Sequence, residues 1–563
     1  MNKIIKMLIA FLAFGIMASC QQQPAITGDL IVYGGNIYTA AKVEKTEAVV
    51  AKDGRVLFVG SKEKAMKYQG SKTQLLDLQG KTMTPGFIES HAHIMGIGHN
   101  RLNIDLLQVK SYQELIQKVE EVAATTPKGQ WIIGRGWHQD KWQQQSEKRF
   151  KGFPIHDELS VRVPDHPVWL THASGHMGLA NAAAMKVAGI NSNSEQPTGG
   201  EIFMGPDGKP TGIFNETAQR KIAGIIPKST PEREAKALEL ALQELLESGI
   251  TSMHNAGASQ RDIDLFKSFG EQGKLKVRIY TMLHGNDNQL LNSYYASGPQ
   301  IGLYDDHLTI RSIKLYADGA LGSRGAWLLE EYSDAAGKFG HNVMPMKAIE
   351  QVTKDGYKNG FQLCVHAIGD RANREVLDIF EEITQGEKID HRFRIEHAQH
   401  INLDDIPRFA ELGVIASMQA IHMSSDRPWA IDRLGKKRIV DGAYVWQKLL
   451  QSGAKVINGT DAPVEPVSAI ASFYSSVSRK TLQGTPEGGY EPEQKMTRAQ
   501  ALKAYTLDGA YGSFEEGIKG SIEIGKLADF TVFSQDLMTI PEEKILDTEV
   551  LYTIVGGEVA YQK

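Results

Sequence analysis

Between residues 87 and 460, eight short apolar runs are separated by longer stretches that mix polar and apolar residues at helical spacing. The runs cover 87–93, 250–256, 277–284, 310–318, 361–367, 393–398, 414–419 and 455–460. Unbroken apolar runs suit strands buried on both faces, and the stretches between them supply the crossovers that parallel strands need. Repeated βα units predict an α/β fold, and eight of them is the number that closes a (β/α)₈ TIM-like barrel.

The spacing is uneven at one place. The gap between the first two runs is far too long for one crossover, so residues of about 103–240 are expected to hold an insertion after the first strand. It contains Trp131-Ile-Ile-Gly-Arg-Gly-Trp137 and Trp169-Leu-Thr-His-Ala-Ser-Gly-His176. Ser229-Thr-Pro-Glu232 then puts a cap, a proline and an acid in sequence ahead of the periodic Ala235–Leu246 stretch, a helix start. Outside the barrel, both chain ends carry β-rich runs between turn signals. Leu30-Ile-Val-Tyr33, Ala48-Val-Val-Ala51 and Val56-Leu-Phe-Val59 at one end match Asp529-Phe-Thr-Val-Phe533, Val550-Leu-Tyr-Thr-Ile-Val555 and Glu558-Val-Ala-Tyr561 at the other. Asp53-Gly54 is a strong hairpin signal. Residues 29–84 and 520–563 are therefore expected to form one small β-sandwich around a barrel spanning 85–519.

The first residues stand apart. Lys3 and Lys6 precede an uninterrupted apolar run from Met7 to Met17, followed by Ala18-Ser19-Cys20. This is the layout of a secretory signal peptide, and the run is short for a bilayer span. Its end resembles the lipobox of bacterial lipoproteins, which implies removal of residues 1–19, lipidation of Cys20 and a polar tether over 20–28. The chain is then expected in the cell envelope, attached to a membrane only through that lipid. Removal leaves 563 − 19 = 544 residues and moves the formal charge from −5 to −7. A mildly acidic chain gives no electrostatic reason to expect nucleic acid. Cys20 and Cys364 are the only cysteines, so neither a disulfide framework nor a cysteine zinc module is available. Cys364 lies in an apolar run and reads as a buried, inert thiol.

The chemistry is sought among the 17 histidines. In Thr84-Pro-Gly-Phe-Ile-Glu-Ser-His91-Ala-His93, period two puts both imidazoles on one side of a strand, an arrangement suited to a divalent metal. Later runs end on residues of ligand type: His366 in Cys364-Val-His366, His397 in Arg394-Ile-Glu-His397, and Asp461 in Asn458-Gly-Thr-Asp461. The C-terminal ends of parallel barrel strands meet at one catalytic face, so these residues converge there.

On these residues the chain resembles the amidohydrolase superfamily, and within it the amidohydrolase 3 branch, similar to N-substituted formamide deformylases. The resemblance runs through PGFIESHAH (85–93), GRGWHQDKW (134–142), TGIFNETA (211–218), SIKLYADGALGSR (312–324), HAIGDRA (366–372), RIEHAQ (394–399), GTDAPVEP (459–466) and GKLADF (525–530). It implies that Lys314 takes up CO₂ and that its carbamate bridges two metals. His91, His93 and Asp461 then hold the more buried ion, and His366 and His397 the more exposed one. A lysine inside an apolar barrel is shifted towards the neutral amine that carbamylation needs. Zinc suits imidazole and carboxylate ligands first; iron, cobalt and manganese also fit, and one ion suffices if Lys314 is unmodified. Superfamily members often form homodimers.

The expected reaction is hydrolysis of a non-peptide amide bond in a small N-acyl or N-formyl substrate. A metal lowers the pKa of water towards neutrality, and Asp461 serves as general base and then passes the proton to the leaving nitrogen. The same chemistry serves cyclic amides, esters and carbamates, and a solute-binding lipoprotein without catalysis is a further alternative. No G-x-S-x-G elbow occurs, which removes the commonest serine route. His176 and Arg324 are expected to bind substrate. Trp137 and Trp142 read either as pocket walls or as core, and no role falls to His254.

Overall fold

The computed structural model describes residues 26–563 apart from 174, 176, 199, 228 and 387–389. The signal segment, Cys20 and His176 thus lie outside the described residues.

The eight apolar runs are eight strands of one parallel sheet: β1 (Phe87–Ala92), β2 (Ile250–Ala258), β3 (Arg278–His284), β4 (Leu308–Tyr316), β5 (Gln362–Ala367), β6 (Arg394–His397), β7 (Ile415–Met418) and β8 (Lys455–Asn458). Each pairs in parallel with the next, in chain order, from β1 to β8. The result is an α/β fold with a nearly closed barrel sheet.

At the seam between β8 and β1, side-chain bonds add to the backbone ones. Asp461 N donates to His91 O at 2.7 Å and His93 N to Ala462 O at 2.8 Å. Below them the buried Glu89 carboxylate accepts Thr460 N at 2.9 Å, Thr460 Oγ1 at 2.8 Å and His91 N at 3.0 Å. A Cβ on Gly459 would lie 2.3 Å from Glu89 Oε1 and 2.7 Å from His91 N, so only glycine lets the two strands approach this closely.

Four helices matter for the site: α1 (Ile94–Leu102), α2 (Pro231–Glu247), α3 (Asp370–Thr384) and α4 (Ala420–Gly442). α1 starts on His93, and α4 follows β7 with Gln419 as its cap. α2 begins as its sequence predicts, with Thr230 capping Arg233 N and Pro231 in the first turn. Its stripe Leu238, Ala241, Leu242, Leu245 and Leu246 packs in the barrel core rather than in the insertion.

The insertion has its own six-stranded sheet, in the order Ile202–Met204, Pro210–Asn215, Met177–Ala180, Val168–His172, Ile132–Trp137 and Ile104–Asp105. Trp137 and Trp142 belong to its apolar core, not to a pocket wall. Trp137 satisfies its indole N–H on Leu170 O at 2.8 Å. Cys364 is buried with Ala256 and Met282, and burial pushes its thiol up to about 12, the inert state the sequence suggests.

Strands from the two chain ends share one eight-stranded sheet, stitched where Phe530–Phe533 runs antiparallel to Thr82–Pro85. Alternate residues bury on opposite faces. Leu30 and Val32 join a cluster with Phe530, Val532 and Ile554, whereas Ile31 packs with Val50 and Ala65. The second face is covered by the short helical turns Lys62–Ala65 and Met66–Tyr68. Hydrogen bonding thus joins the strands of both chain ends into one sheet.

Candidate metal centre

The residues that the barrel brings together at its C-terminal face are His91, His93, Lys314, His366, His397 and Asp461. One ligand atom each from His91, His397 and Asp461 lies within 4.8 Å of the others. His93 joins them through Nε2, 3.1 Å from Asp461 Oδ1, and His91 Nε2 lies 3.6 Å from the same oxygen. The His366 and His397 rings are 4.4 Å apart between centroids, and those of His397 and His91 4.9 Å. Lys314 enters from β4 with Nζ 3.2 Å from His91 Nε2. The closest group thus draws on both ligand sets that the resemblance implies.

Two of these residues occupy strained backbone. His397 has φ +74° and Asp461 φ +57°, conformations that cost a β-branched or unbranched side chain about 1–3 kcal/mol and persist where surroundings over-determine them. On β6 the strain has a visible use. Period two carries the inward face from Arg394 to Glu396, so the next residue would point outward; the left-handed turn at His397 ends the strand and brings its ring to His91 and His366.

The rings of His91, His397 and His366 are each oriented by a neighbour at one nitrogen. His91 Nδ1 makes a short hydrogen bond to Glu396 Oε2, leaving Nε2 towards Lys314 and Asp461. His397 Nδ1 donates to Gln419 Oε1 at 2.6 Å. His366 Nε2 lies 3.5 Å from Asp318 Oδ1, whose carboxylate is itself held by the N–H groups of Trp327, Ile368 and Gly369. Glu396 is in turn gripped by Arg394, with Nε at 2.7 Å from Oε1 and Nη2 at 3.0 Å from Oε2; Arg394 Nη1 also lies 2.9 Å from His254 Nδ1. Outer partners of this kind fix the tautomer and direction of metal-binding imidazoles.

The electrostatics suit cation binding. Burial lowers His91 to about 4 and His366 to about 3, and holds His397 well below its ordinary range, so all three rings are neutral near pH 7. Neutral imidazole is the ligating form. Burial alone would raise Asp461, but its hydrogen bond with His93 and the neighbouring histidines hold it well below the usual carboxylate range. Glu396 is likewise held low by Arg394 and His91 against the effect of burial. Burial lowers Lys314, partly opposed by Glu396 and Asp461. Ligand atoms of His91, His397 and Asp461 converge within 4.8 Å, all three residues buried and both rings neutral, and this donor set fits a divalent metal bound through N and O.

Arg324 stands elsewhere. Its guanidinium forms a paired contact with Asp334, Nη2 at 2.8 Å from Oδ2 and Nε at 3.1 Å from Oδ1, and no hydrogen bond or ion pair joins it to the centre among the described residues. The substrate role expected of Arg324 therefore lacks support in its contacts. Sequence reasoning also missed Glu396, Gln419, Asp318 and His422. A signal existed for Glu396, two residues beyond Arg394 on a barrel strand; none existed for the other three.

Comparison with known proteins agrees with this geometry. The amidohydrolase family profile matches residues 74–561. The chain is 31% identical to Protein LONG AFTER FAR-RED 3 of Arabidopsis thaliana over 98% of this chain and 94% of that one. It is 26% identical to the N-substituted formamide deformylase of Arthrobacter pascens, over 95% and 98% of the two chains. A solved metal-dependent hydrolase from Pyrococcus horikoshii superposes with a TM-score of 0.74 at 27% identity, covering 91% of this chain and 99% of that one. The chain belongs to the amidohydrolase family.

Proposed function

We propose that the enzyme hydrolyses the C–N bond of a small N-acyl or N-formyl amine, with Asp461 as general base. The observation that carries this reading is the state of Asp461. Its Oδ1 lies 3.1 Å from His93 Nε2 and 3.6 Å from His91 Nε2, and its Oδ2 lies 4.0 Å from His422 Nε2. One oxygen is thus placed to ligate and the other to accept a proton. The similarity to an N-substituted formamide deformylase along nearly the whole chain supports the bond type.

His91, His93, His366, His397 and Asp461 would hold the metal, zinc being the ion this donor set favours first. A bound divalent ion lowers the pKa of water towards neutrality and polarises a carbonyl. The chain's own part is to orient and to move a proton. Asp461 Oδ2 takes the proton of the attacking water and delivers it to the leaving nitrogen as the C–N bond breaks, giving an acid and an amine. Lys314 completes a two-metal site if its amine adds CO₂, forming an N–C bond and releasing one proton. A charged ammonium 3.2 Å from His91 Nε2 would compete with a metal for that nitrogen; burial of Lys314 shifts it towards the neutral amine that carbamylation needs.

The test is a screen of N-formyl, N-acyl and cyclic amides with the metal-replete chain, before and after chelation. Turnover of N-formyl or N-acyl amines, lost with chelator and restored by Zn²⁺, is expected. Turnover confined to cyclic amides or esters would overturn the bond assignment. We further propose that the enzyme is tethered in the cell envelope through lipidated Cys20, which mass spectrometry of the mature N-terminus checks.

A further inference from the structure

Three of the candidate ligands have an outer partner: Glu396 beside His91, Gln419 beside His397 and Asp318 beside His366. Asp461 has a neighbour of its own that neither the motifs nor the mechanism above uses. Its Oδ2 lies 4.0 Å from Nε2 of His422. His422 is buried, and its Nε2 is shielded from solvent yet makes no hydrogen bond in the structure. A buried ring nitrogen without a partner costs free energy unless something else satisfies it.

The side-chain amide of Asn458 ties the segments of Asp461 and His422 together. Asn458, the last residue of β8, accepts both Ala420 N and Gly459 N through Oδ1, each at 3.0 Å, and donates to Ser476 Oγ at 2.9 Å. One amide therefore pins the start of α4 to the strand that leads into Asp461. Gln419 and His422 stand three residues apart at this junction, one facing His397 and the other Asp461. The His422 ring also lies nearly parallel to that of His397, at 6.2 Å and 13°. Asp461 itself sits at a strained φ, a state that needs neighbours to fix it.

We propose that His422 is a positioning residue for Asp461: its Nε2–H donates to Oδ2, which leaves Oδ1 for the metal and keeps Oδ2 in one direction. This rests on the reading of Asp461 as ligand and base. The hydrogen bond requires the two side chains to close their 4.0 Å separation, as polar contacts commonly do when a site fills.

The experiment measures zinc affinity of the full chain by chelator competition, together with kcat and KM. His422→Phe keeps a ring beside His397 and removes the donor, with His422→Leu as the substitute if that ring prevents folding; His422→Gln returns a donor. Loss of an outer partner typically costs about 10–100-fold in metal affinity or activity. A zinc-affinity loss of that size is expected for the Phe or Leu variant, with kcat lowered, KM unchanged and most of the loss recovered by Gln. In an Asp461→Asn background the same substitution should change zinc affinity no further, because the two groups act as one unit. An equal fold-loss in both backgrounds, or unaltered affinity in the single variant, overturns the proposal. If Asp461→Asn by itself binds zinc and turns over as the unmodified chain does, the reading of Asp461 fails, and with it the basis for His422.

Discussion

At the barrel mouth and in the insertion, imidazoles pack against one another at almost the same spacing. The ring centroids of His366 and His397 are 4.4 Å apart, those of His138 and His172 4.5 Å. Burial even brings His91 and His138 to the same value, about 4. The difference lies in the neighbours. At the mouth the outward nitrogens meet Glu396 and Gln419, and the ionised Asp461 sits among the rings. In the insertion the His172 ring lies edge-on to Trp137 at 4.8 Å, and His138 faces Asp140, a largely exposed acid 4.0 Å away. Among the described residues, ligand atoms converge within 4.8 Å only at His91, His397 and Asp461. Burial makes a histidine neutral in either place; a buried carboxylate alongside is what turns neutral rings into a cation site.

The sharpest way to break this contrast is to remove that carboxylate. Asp461→Asn keeps the shape of the side chain but takes away its charge and its basicity. General-base catalysis contributes about 10²–10⁴ in rate, so kcat of the metal-replete variant should fall by at least that range. Near-normal turnover would mean that the carboxylate does not distinguish the mouth from the insertion after all.

Glu396→Gln tests the outer partner instead. It loosens His91 and leaves the fully buried Arg394 without its carboxylate. Zinc affinity or activity should drop by about 10–100-fold, and denaturant unfolding should show a stability loss of about 3–5 kcal/mol, the usual cost of stranding one member of a buried pair. The matching change in the insertion, Asp140→Asn, removes an exposed charge and should alter neither measurement. Equal effects from the two substitutions would erase the distinction between the regions.

The two regions also differ in how far their sequences disclose them. Every barrel strand overlaps an apolar run, because strands buried on both faces leave a continuous hydrophobic signature. His91 follows from period two on a straight strand. His397 does not: period two from Arg394 selects Glu396, and only the positive φ at His397 turns its ring inward. No spacing rule encodes that turn. Gln419 and His422 belong to the first residues of a helix, and their relation to His397 and Asp461 is created by the packing of α4 against β8, through Asn458. Arg324 sits in a distinctive stretch, and its fork is paired with Asp334 ten residues on. Strand positions were legible because burial is written in composition; the outer contacts were not, because they join residues far apart in the chain.

Acidification separates the two groups by a smaller effect. His91, His366 and His138 are all lowered by burial, to about 4, about 3 and about 4. In the unfolded chain they titrate near about 6.5. Below that pH the unfolded state binds more protons than the folded state, so the stability of the metal-free chain must fall as pH drops from about 6.5 to about 4. Both regions contribute to this loss with the same sign. Zinc adds stability only where it binds, and in proportion to the logarithm of its concentration over Kd. His138→Gln should therefore make the acid-side decline of the metal-free chain shallower, while the zinc-induced rise in Tm at neutral pH stays as in the unmodified protein. Thermal unfolding across pH, with and without zinc, reads both quantities on one sample. A zinc shift diminished by His138→Gln would show that the insertion shares the metal centre, and the contrast between the two histidine groups would have to be drawn elsewhere.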